Sequence, residues 1–465
     1  MNRGHDFVTS FLILMAACLG ACTRPQMEEE PASPSLLASR VDALVAPLVS
    51  AHEFSGAIVL MRSGEVVYRR GFGMANHAAG VPFTPDTPSD GGSLAKTFTA
   101  AGVWWLATEG QLDLDAPVVG YVPEYPHGQT TVRQLIAHSN GLPPHYGFFD
   151  PHFAPEEVRT TAALLKIVAL HAPEPAFVPG TKFAYCNTGF DVAALVIERV
   201  SGQSYETFLK TRFFEPLGMQ ASFGRPGRFA DWPSVRTKGY RWHDGAWTAH
   251  DAYDMEAFLG ASNLYFSAAD LARWGNANAV GRALPAAVVE AGQKHIDING
   301  GHSGITGLSW YCDDSQVRCY YTGDISAFYS FVYWDRERRV SVAFVSNSTL
   351  PWWKRIGLQR ALVRAFDSSP GAIDDSSPFT PFDSETRSVL AGTYDVPSLG
   401  SITISTDSGG LHFRVESALR FGMFPVSENL FYVVGLDYLV AFSGGHPPTT
   451  IHVRSMQVDL VGRRL

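Results

Sequence analysis

Apolar residues recur at one-face helical spacing at Leu37, Val41, Leu44, Val45 and Leu48, which predicts a helix over 36–52. The next apolar runs are short and unbroken. They cover 56–61 and 66–68 and are parted by Arg62-Ser63-Gly64-Glu65, a strand–turn–strand pattern. The period then lengthens: helical patterns fill 97–108, stopped near Gly110, and 188–200, stopped at Gly202. Strand-like runs return at 329–334 and 340–345, and a helical pattern follows over 353–366. Strands at both ends with helices between them imply an α+β domain over 37–366 whose antiparallel sheet closes late in the chain.

Beyond it the pattern changes twice. Residues 367–385 are rich in Ser, Pro and Asp and read as a linker. Short apolar runs at 402–405, 411–415, 430–434, 438–442 and 451–453, separated by turns such as Ser408-Gly409-Gly410, then predict a small all-β domain over 386–465. No internal repeat is visible. A length of 465 residues suits two domains, and 46% hydrophobic against 17% charged residues supports a large core rather than disorder. The net charge of -9, with no basic run, argues against a nucleic-acid partner.

The N-terminus reads as an address. Arg3 and His5 precede an apolar run over 11–17, followed by Leu19-Gly20-Ala21-Cys22. That run is too short to span a bilayer and predicts a signal peptide over 1–21. The small residues before Cys22 resemble a bacterial lipoprotein box, which implies a lipidated Cys22, a membrane partner through that lipid, and a catalytic domain outside the cytoplasm. An ordinary signal peptide that happens to contain cysteines is the alternative. The polar stretch 22–36, a tether no folded domain needs, favours the lipoprotein. Cys312 and Cys319 flank a polar hairpin-like segment. An oxidising compartment permits a disulfide there, and two separate thiols fit equally. Cys186 has no evident partner. The histidines are scattered and no Cys or His pair has ligand spacing in a matching set, so neither a metal site nor a cofactor is expected.

Two short motifs carry chemistry. Ser93-Leu94-Ala95-Lys96 places a hydroxyl and an amine one helical turn apart, at a helix start where free backbone N–H groups point. Serine is a weak nucleophile until a neighbour takes its proton, and a closely held amine can do so. Tyr185-Cys186-Asn187 precedes the second long helix; its tyrosine can relay a proton and its asparagine amide can hold a substrate amide and orient the lysine. Alone, each motif reads as a helix cap beside ordinary surface or core residues.

Together and in order they do not. The stretch 92–100, Glu109 to Asp115, Leu135-Ile136-Ala137-His138-Ser139-Asn140-Gly141-Leu142-Pro143, 179–189, Pro216-Leu217-Gly218-Met219 and 264–272 resemble the serine β-lactamase and penicillin-binding-protein-like family, closest to its class C β-lactamase and esterase branch. Leu390 to Tyr394 resembles the small β-barrel module often appended to it. The resemblance implies an acyl-enzyme mechanism with Ser93 as nucleophile, Lys96 as base or proton relay, Tyr185 as second proton shuttle, and Asn187 as substrate and lysine orienter. It implies a small-molecule or peptide substrate.

The third element of the family, a Lys-Thr-Gly or His-x-Gly on the strand edging the site, is altered. Tyr321-Thr322-Gly323-Asp324 is the aligned text; His302-Ser303-Gly304 is closer in letters but lies before Gly307 to Trp310, which precede the element in the family. Gly323 would let substrate approach the backbone. The N–H of Asp324 would pair with that of Ser93 as an oxyanion hole. Losing the lysine removes a cation for substrate carboxylates. This favours ester or amide hydrolysis of less acidic substrates over β-lactamase or D-Ala-D-Ala carboxypeptidase action. A non-catalytic binding protein on the same fold is the remaining rival, against which stands the retention of Ser93, Lys96 and Tyr185.

Overall fold

A computed structural model describes residues 34–465 apart from 144–147, 155, 253–255, 282–283, 299–300, 313–314, 351, 367–387, 398–399, 408–409, 416–420, 428–429, 434–437 and 455–458. The signal segment 1–21, Cys22, nearly all of the tether and the linker 367–385 lie outside the described residues.

The chain enters through α1 (Pro34–Ser50), whose Leu37, Val41, Val45 and Leu48 are buried on one face. Then β1 (Gly56–Arg62) turns through Ser63 and Gly64, both left-handed, into β2 (Glu65–Phe72). The helical middle contains α2 (Ala95–Thr108), α3 (Asn187–Ser201) and α4 (Ala268–Val280). Six more strands follow: β3 (His295–Ile298), β4 (Gly301–Thr306), β5 (Tyr311–Cys312), β6 (Arg318–Ile325), β7 (Phe328–Asp335) and β8 (Val340–Ser346). Helix α5 (Trp352–Arg364) ends the unit.

These strands make one eight-stranded sheet in the order β3-β4-β5-β6-β7-β8-β1-β2. The late β8 pairs antiparallel with the early β1, from Gly56 opposite Ser346 to Arg62 opposite Val340, so the sheet does close late. Its two faces feed two cores. Ala57, Val59, Met61, Val332, Trp334, Ala343 and Val345 pack with α2, α3 and α4. Ile58, Leu60, Phe331, Val342 and Phe344 pack with α1 and α5. A strand covered on both faces needs no polar alternation, which is why β1 and β8 read as unbroken apolar runs. Phe258 is wholly buried in the first core, and Trp242 and Trp247 stack on His52 and His77 as packing residues.

The C-terminal region forms a closed barrel of eight described strands, neighbours in chain order, from Gly392–Val396 to Asp459–Arg464. Tyr394 of the first pairs with Arg464 of the last. Alternate residues such as Ile402, Ile404, Leu411, Phe413, Val440, Phe442, Ile451 and Val453 fill its interior. Three of its strands escape the alternation pattern. One is Phe421–Ser427, where Gly422 and Pro425 read as turn residues; the pairing register shifts at Pro425, the position at which a sheet tolerates proline.

Candidate active site

Ser93 lies in a single 3₁₀ turn (Gly92–Leu94) that runs straight into α2, so the helix begins at Ala95, slightly earlier than its apolar period suggests. Gly92 has φ +50°, and a Cβ there would come within 2.8 Å of the Asp324 backbone nitrogen. Its N–H donates to Asp90 Oδ1 at 2.9 Å. From the other side, β6 presses on the same turn. A Cβ on Gly323 would stand 1.8 Å from the Gly91 carbonyl oxygen, and Ser330 Oγ donates to that oxygen at 2.6 Å. Backbone meets backbone here, which only glycine permits. The contact sets the Asp324 N–H beside the nucleophile turn. The structure therefore places 321–324, not 302–304, against Ser93; the latter lie on β4, two strands further out.

Lys96 follows one turn after Ser93 and is completely buried. Its Nζ donates to Ser93 Oγ at 3.1 Å and to the Ala261 carbonyl at 2.8 Å, and lies over the rings of Tyr185 at 4.9 Å and Phe190 at 5.7 Å. The Tyr185 hydroxyl donates to the same Ser93 Oγ at 2.8 Å. One serine oxygen is thus bracketed by an amine and a phenol at hydrogen-bond distance. Either neighbour is within reach of its proton.

Tyr185 is held from behind by a residue given no role above. His138 stacks on its ring at 4.3 Å, its Nδ1 accepts the Cys186 N–H at 2.9 Å, and its carbonyl accepts the Ala184 N–H at 2.7 Å. Burial, reinforced by the nearby Lys96 charge, holds the imidazole pKa well below its ordinary value, so the ring is neutral. Since Nδ1 accepts, the proton sits on Nε2, which has no hydrogen-bond partner among the described residues. The Ser-Asn-Gly text after His138 marked the segment; its clamp on Tyr185 is visible only in three dimensions. Cys186 is a buried free thiol whose pKa burial pushes up to about 11, an inert packing group.

The remaining expected residues divide. Asn187 opens α3 beside Tyr185, and its side-chain oxygen is buried with no hydrogen-bond partner among the described residues. The lysine-orienting contact expected of it is made by the Ala261 carbonyl instead, because Lys96 Nζ turns toward that backbone. Tyr321 is 2% exposed, part of the core beneath the site, and stacks on Tyr311 at 5.3 Å. Burial and the adjacent Tyr185 push its pKa well above the usual phenol range, so it is neutral. Its hydroxyl is buried near Tyr185 but outside ordinary hydrogen-bond geometry. Asp324 is paired with Arg355 of α5, whose Nε donates to the Leu350 carbonyl at 2.6 Å and whose guanidinium covers the Tyr329 ring. Thr322 interacts with Tyr329. Cys312 and Cys319, directly opposite on β5 and β6, are joined by a disulfide. Among the described residues no group of three or more His, Cys, Asp or Glu side chains is disposed to hold a metal.

The sequence matches the beta-lactamase family over residues 41–363. The chain belongs to that family. It is similar to Penicillin-binding protein 4* of Bacillus subtilis (strain 168), 22% identical over 414 residues that cover 85% of this chain and 91% of that one. A shorter similarity, 29% over 174 residues, links it to D-aminopeptidase of Brucella canis (strain ATCC 23365 / NCTC 10854 / RM-666), covering 36% of this chain and 32% of that protein. A class C beta-lactamase of known structure matches the fold with a TM-score of 0.59 at 21% identity, over 71% of this chain and 97% of that one. The α+β unit is thus the β-lactamase and transpeptidase-like fold, and this beta-lactamase family member is a serine hydrolase of the acyl-enzyme type.

Proposed function

We propose that this chain is an exported, lipid-anchored serine hydrolase that cleaves esters or amides without a neighbouring carboxylate, through an acyl-enzyme on Ser93. The observation that carries the chemistry is the convergence of Lys96 Nζ and Tyr185 Oη on Ser93 Oγ, at 3.1 and 2.8 Å. A substrate carbonyl whose oxygen lies between the backbone N–H groups of Ser93 and Asp324 presents its carbon to Ser93 Oγ. As the new C–O bond forms, the serine proton passes to the Lys96–Tyr185 pair and then to the leaving oxygen or nitrogen as its bond breaks. The two N–H groups stabilise the oxyanion. Water then attacks the ester, and the same pair carries its proton back to Ser93.

Two features support the substrate class. Tyr321 supplies no cation where the family commonly has one, and Arg355, a cation that reaches this end of β6, is already engaged by Asp324. The D-aminopeptidase and penicillin-binding relatives keep cell-wall or D-amino-acid peptides as the second reading. Export rests on the 1–22 segment, and the Cys312–Cys319 disulfide is the bond an oxidising compartment sustains. The anchor would be a lipid on Cys22, which follows Leu19-Gly20-Ala21; among the described residues no helix is long and apolar enough to cross a membrane.

The test is labelling by a fluorophosphonate probe, followed by a panel of neutral esters, D-amino-acid peptides and β-lactams. Ser93→Ala should abolish labelling while the protein stays folded; undiminished labelling ends the serine assignment. Mature protein should begin at Cys22 and sediment with membranes, and Cys22→Ser should release it with unchanged turnover. A soluble mature form starting elsewhere refutes the anchor.

A further inference from the structure

Beside the nucleophile turn the chain buries three charges on three separate segments. Asp90 lies three residues before Ser93, Arg225 directly follows the short strand Phe223–Gly224, and Glu256 opens the strand Glu256–Ala257. Their side chains are 0%, 0% and 3% exposed. Arg225 is the hub. Its Nη1 donates to Asp90 Oδ2 at 3.1 Å, its Nη2 to Glu256 Oε1 at 3.1 Å, and its Nε to the Glu256 carbonyl at 2.9 Å. The second oxygen of Asp90 is the one that accepts the Gly92 N–H. The segment that starts at Glu256 runs on to Ala261, whose carbonyl receives Lys96. It is fastened there by Arg225 N–H to the Asn263 carbonyl at 2.8 Å and by Thr99 Oγ1 to the Gly260 carbonyl at 2.6 Å.

Stability is a poor explanation for this cluster. Each buried ion sacrifices hydration worth several kcal/mol, and apolar replacements of such groups are often neutral or better. What a guanidinium offers that a leucine does not is a rigid fork with fixed donor directions. Here the fork ties together the two backbone pieces that aim the catalytic atoms: the left-handed glycine before Ser93, and the carbonyl that orients Lys96. We propose that Asp90, Arg225 and Glu256 are positioning residues for the hydrolysis. They hold the Gly92 peptide so that the Ser93 and Asp324 N–H groups converge on one oxygen, and they hold Ala261 so that Lys96 stays on Ser93. The proposal rests on Ser93 being the nucleophile.

The experiment uses the full chain and measures kcat and KM on a p-nitrophenyl ester, per active site titrated with a fluorophosphonate, beside the melting temperature. Asp90→Ala should lower kcat per titrated site about a hundred-fold, the scale of loss when reacting groups are misplaced by roughly 1 Å, with KM held within about twofold. Asp90→Asn keeps an acceptor for the Gly92 N–H but turns its NH2 toward the Arg225 donor, so it should recover only part of the loss. Arg225→Met should fall as Asp90→Ala does. Glu256→Gln, the mildest change, should cost about ten-fold in kcat per site and serves if the other variants do not fold. A purely structural cluster would lower the melting temperature and the number of titratable sites while each surviving site turned over at the wild-type rate, and that result overturns the proposal. Labelling that survives Ser93→Ala would strike the serine assignment instead.

Discussion

Asp324→Asn separates the two jobs of one residue. The Asp324 backbone N–H is the proposed second donor of the oxyanion hole, whereas its side chain occupies Arg355. The substitution leaves the backbone donor in place and frees a guanidinium whose side chain is only 13% exposed. A substrate carboxylate could then take the vacated place. A charge-assisted hydrogen bond to a desolvated arginine is worth about 1.5–3 kcal/mol, or roughly ten- to a hundred-fold in affinity. The Asp324 side chain is 58% exposed, so solvent screens this end of the pair and can bring the gain below that range, to about 1 kcal/mol or fivefold. The assay is the ratio of kcat/KM for a neutral aryl ester to that for the matched ester bearing a free carboxylate, in wild type and variant, at low and high salt. Wild type should favour the neutral ester. Asp324→Asn should improve the carboxylate substrate by about five- to a hundred-fold, more at low salt, with the neutral ester within about twofold. A wild type that already prefers the carboxylate, or a ratio indifferent to Asp324→Asn, would refute the account of substrate charge while leaving the acyl-enzyme mechanism standing.

Gly323→Ala tests the backbone-to-backbone contact. A methyl group 1.8 Å from the Gly91 carbonyl oxygen forces β6 away from the nucleophile turn. Overpacking of this kind costs about 1–3 kcal/mol of stability, and separating the two oxyanion donors should cut kcat about a hundred-fold or more; a folded variant with wild-type kcat in a steady-state ester assay would show that the Asp324 N–H is not used. His138 predicts a pH dependence of stability. Its imidazole titrates near 6.5 in the unfolded chain and well below that when folded, so as pH falls the unfolded state takes the proton first. The contribution of neutral His138 is therefore complete above about 6.5 and is lost as pH drops through the folded value. His138→Asn, which tolerates the left-handed φ of +54° and keeps an acceptor for the Cys186 N–H, should flatten the fall in urea-unfolding free energy between about pH 7 and pH 5. Parallel slopes in wild type and variant would contradict the burial argument.

What the sequence displayed and what it withheld divide along one physical line. Helix and strand periods are local, so α1, α3, β1, β7 and β8 could be traced from apolar spacing, and the i, i+3 spacing of Ser93 and Lys96 already put both on one helical turn. The supporting contacts are not local. Arg225 meets Asp90 across 135 positions, Lys96 reaches Ala261 across 165, and Cys186 meets His138 across 48. Two of those three contacts also use a main-chain atom, which no residue letter announces. A site built from backbone leaves its trace in sequence as residues that lack something. Gly92 and Gly323 have no Cβ because Asp324 N and the Gly91 carbonyl occupy its place. The altered third motif follows the same logic: the glycine that shapes the oxyanion hole is kept, since no substitute fits, while the neighbouring cation is exchanged for Tyr321, a residue the core can absorb. Geometry needed by every carbonyl substrate and charge needed by only some of them are carried by different groups of one strand, backbone for the first and side chains for the second, so specificity can change at Tyr321 and Asp324 while the acyl-transfer apparatus around Ser93 stays as it is.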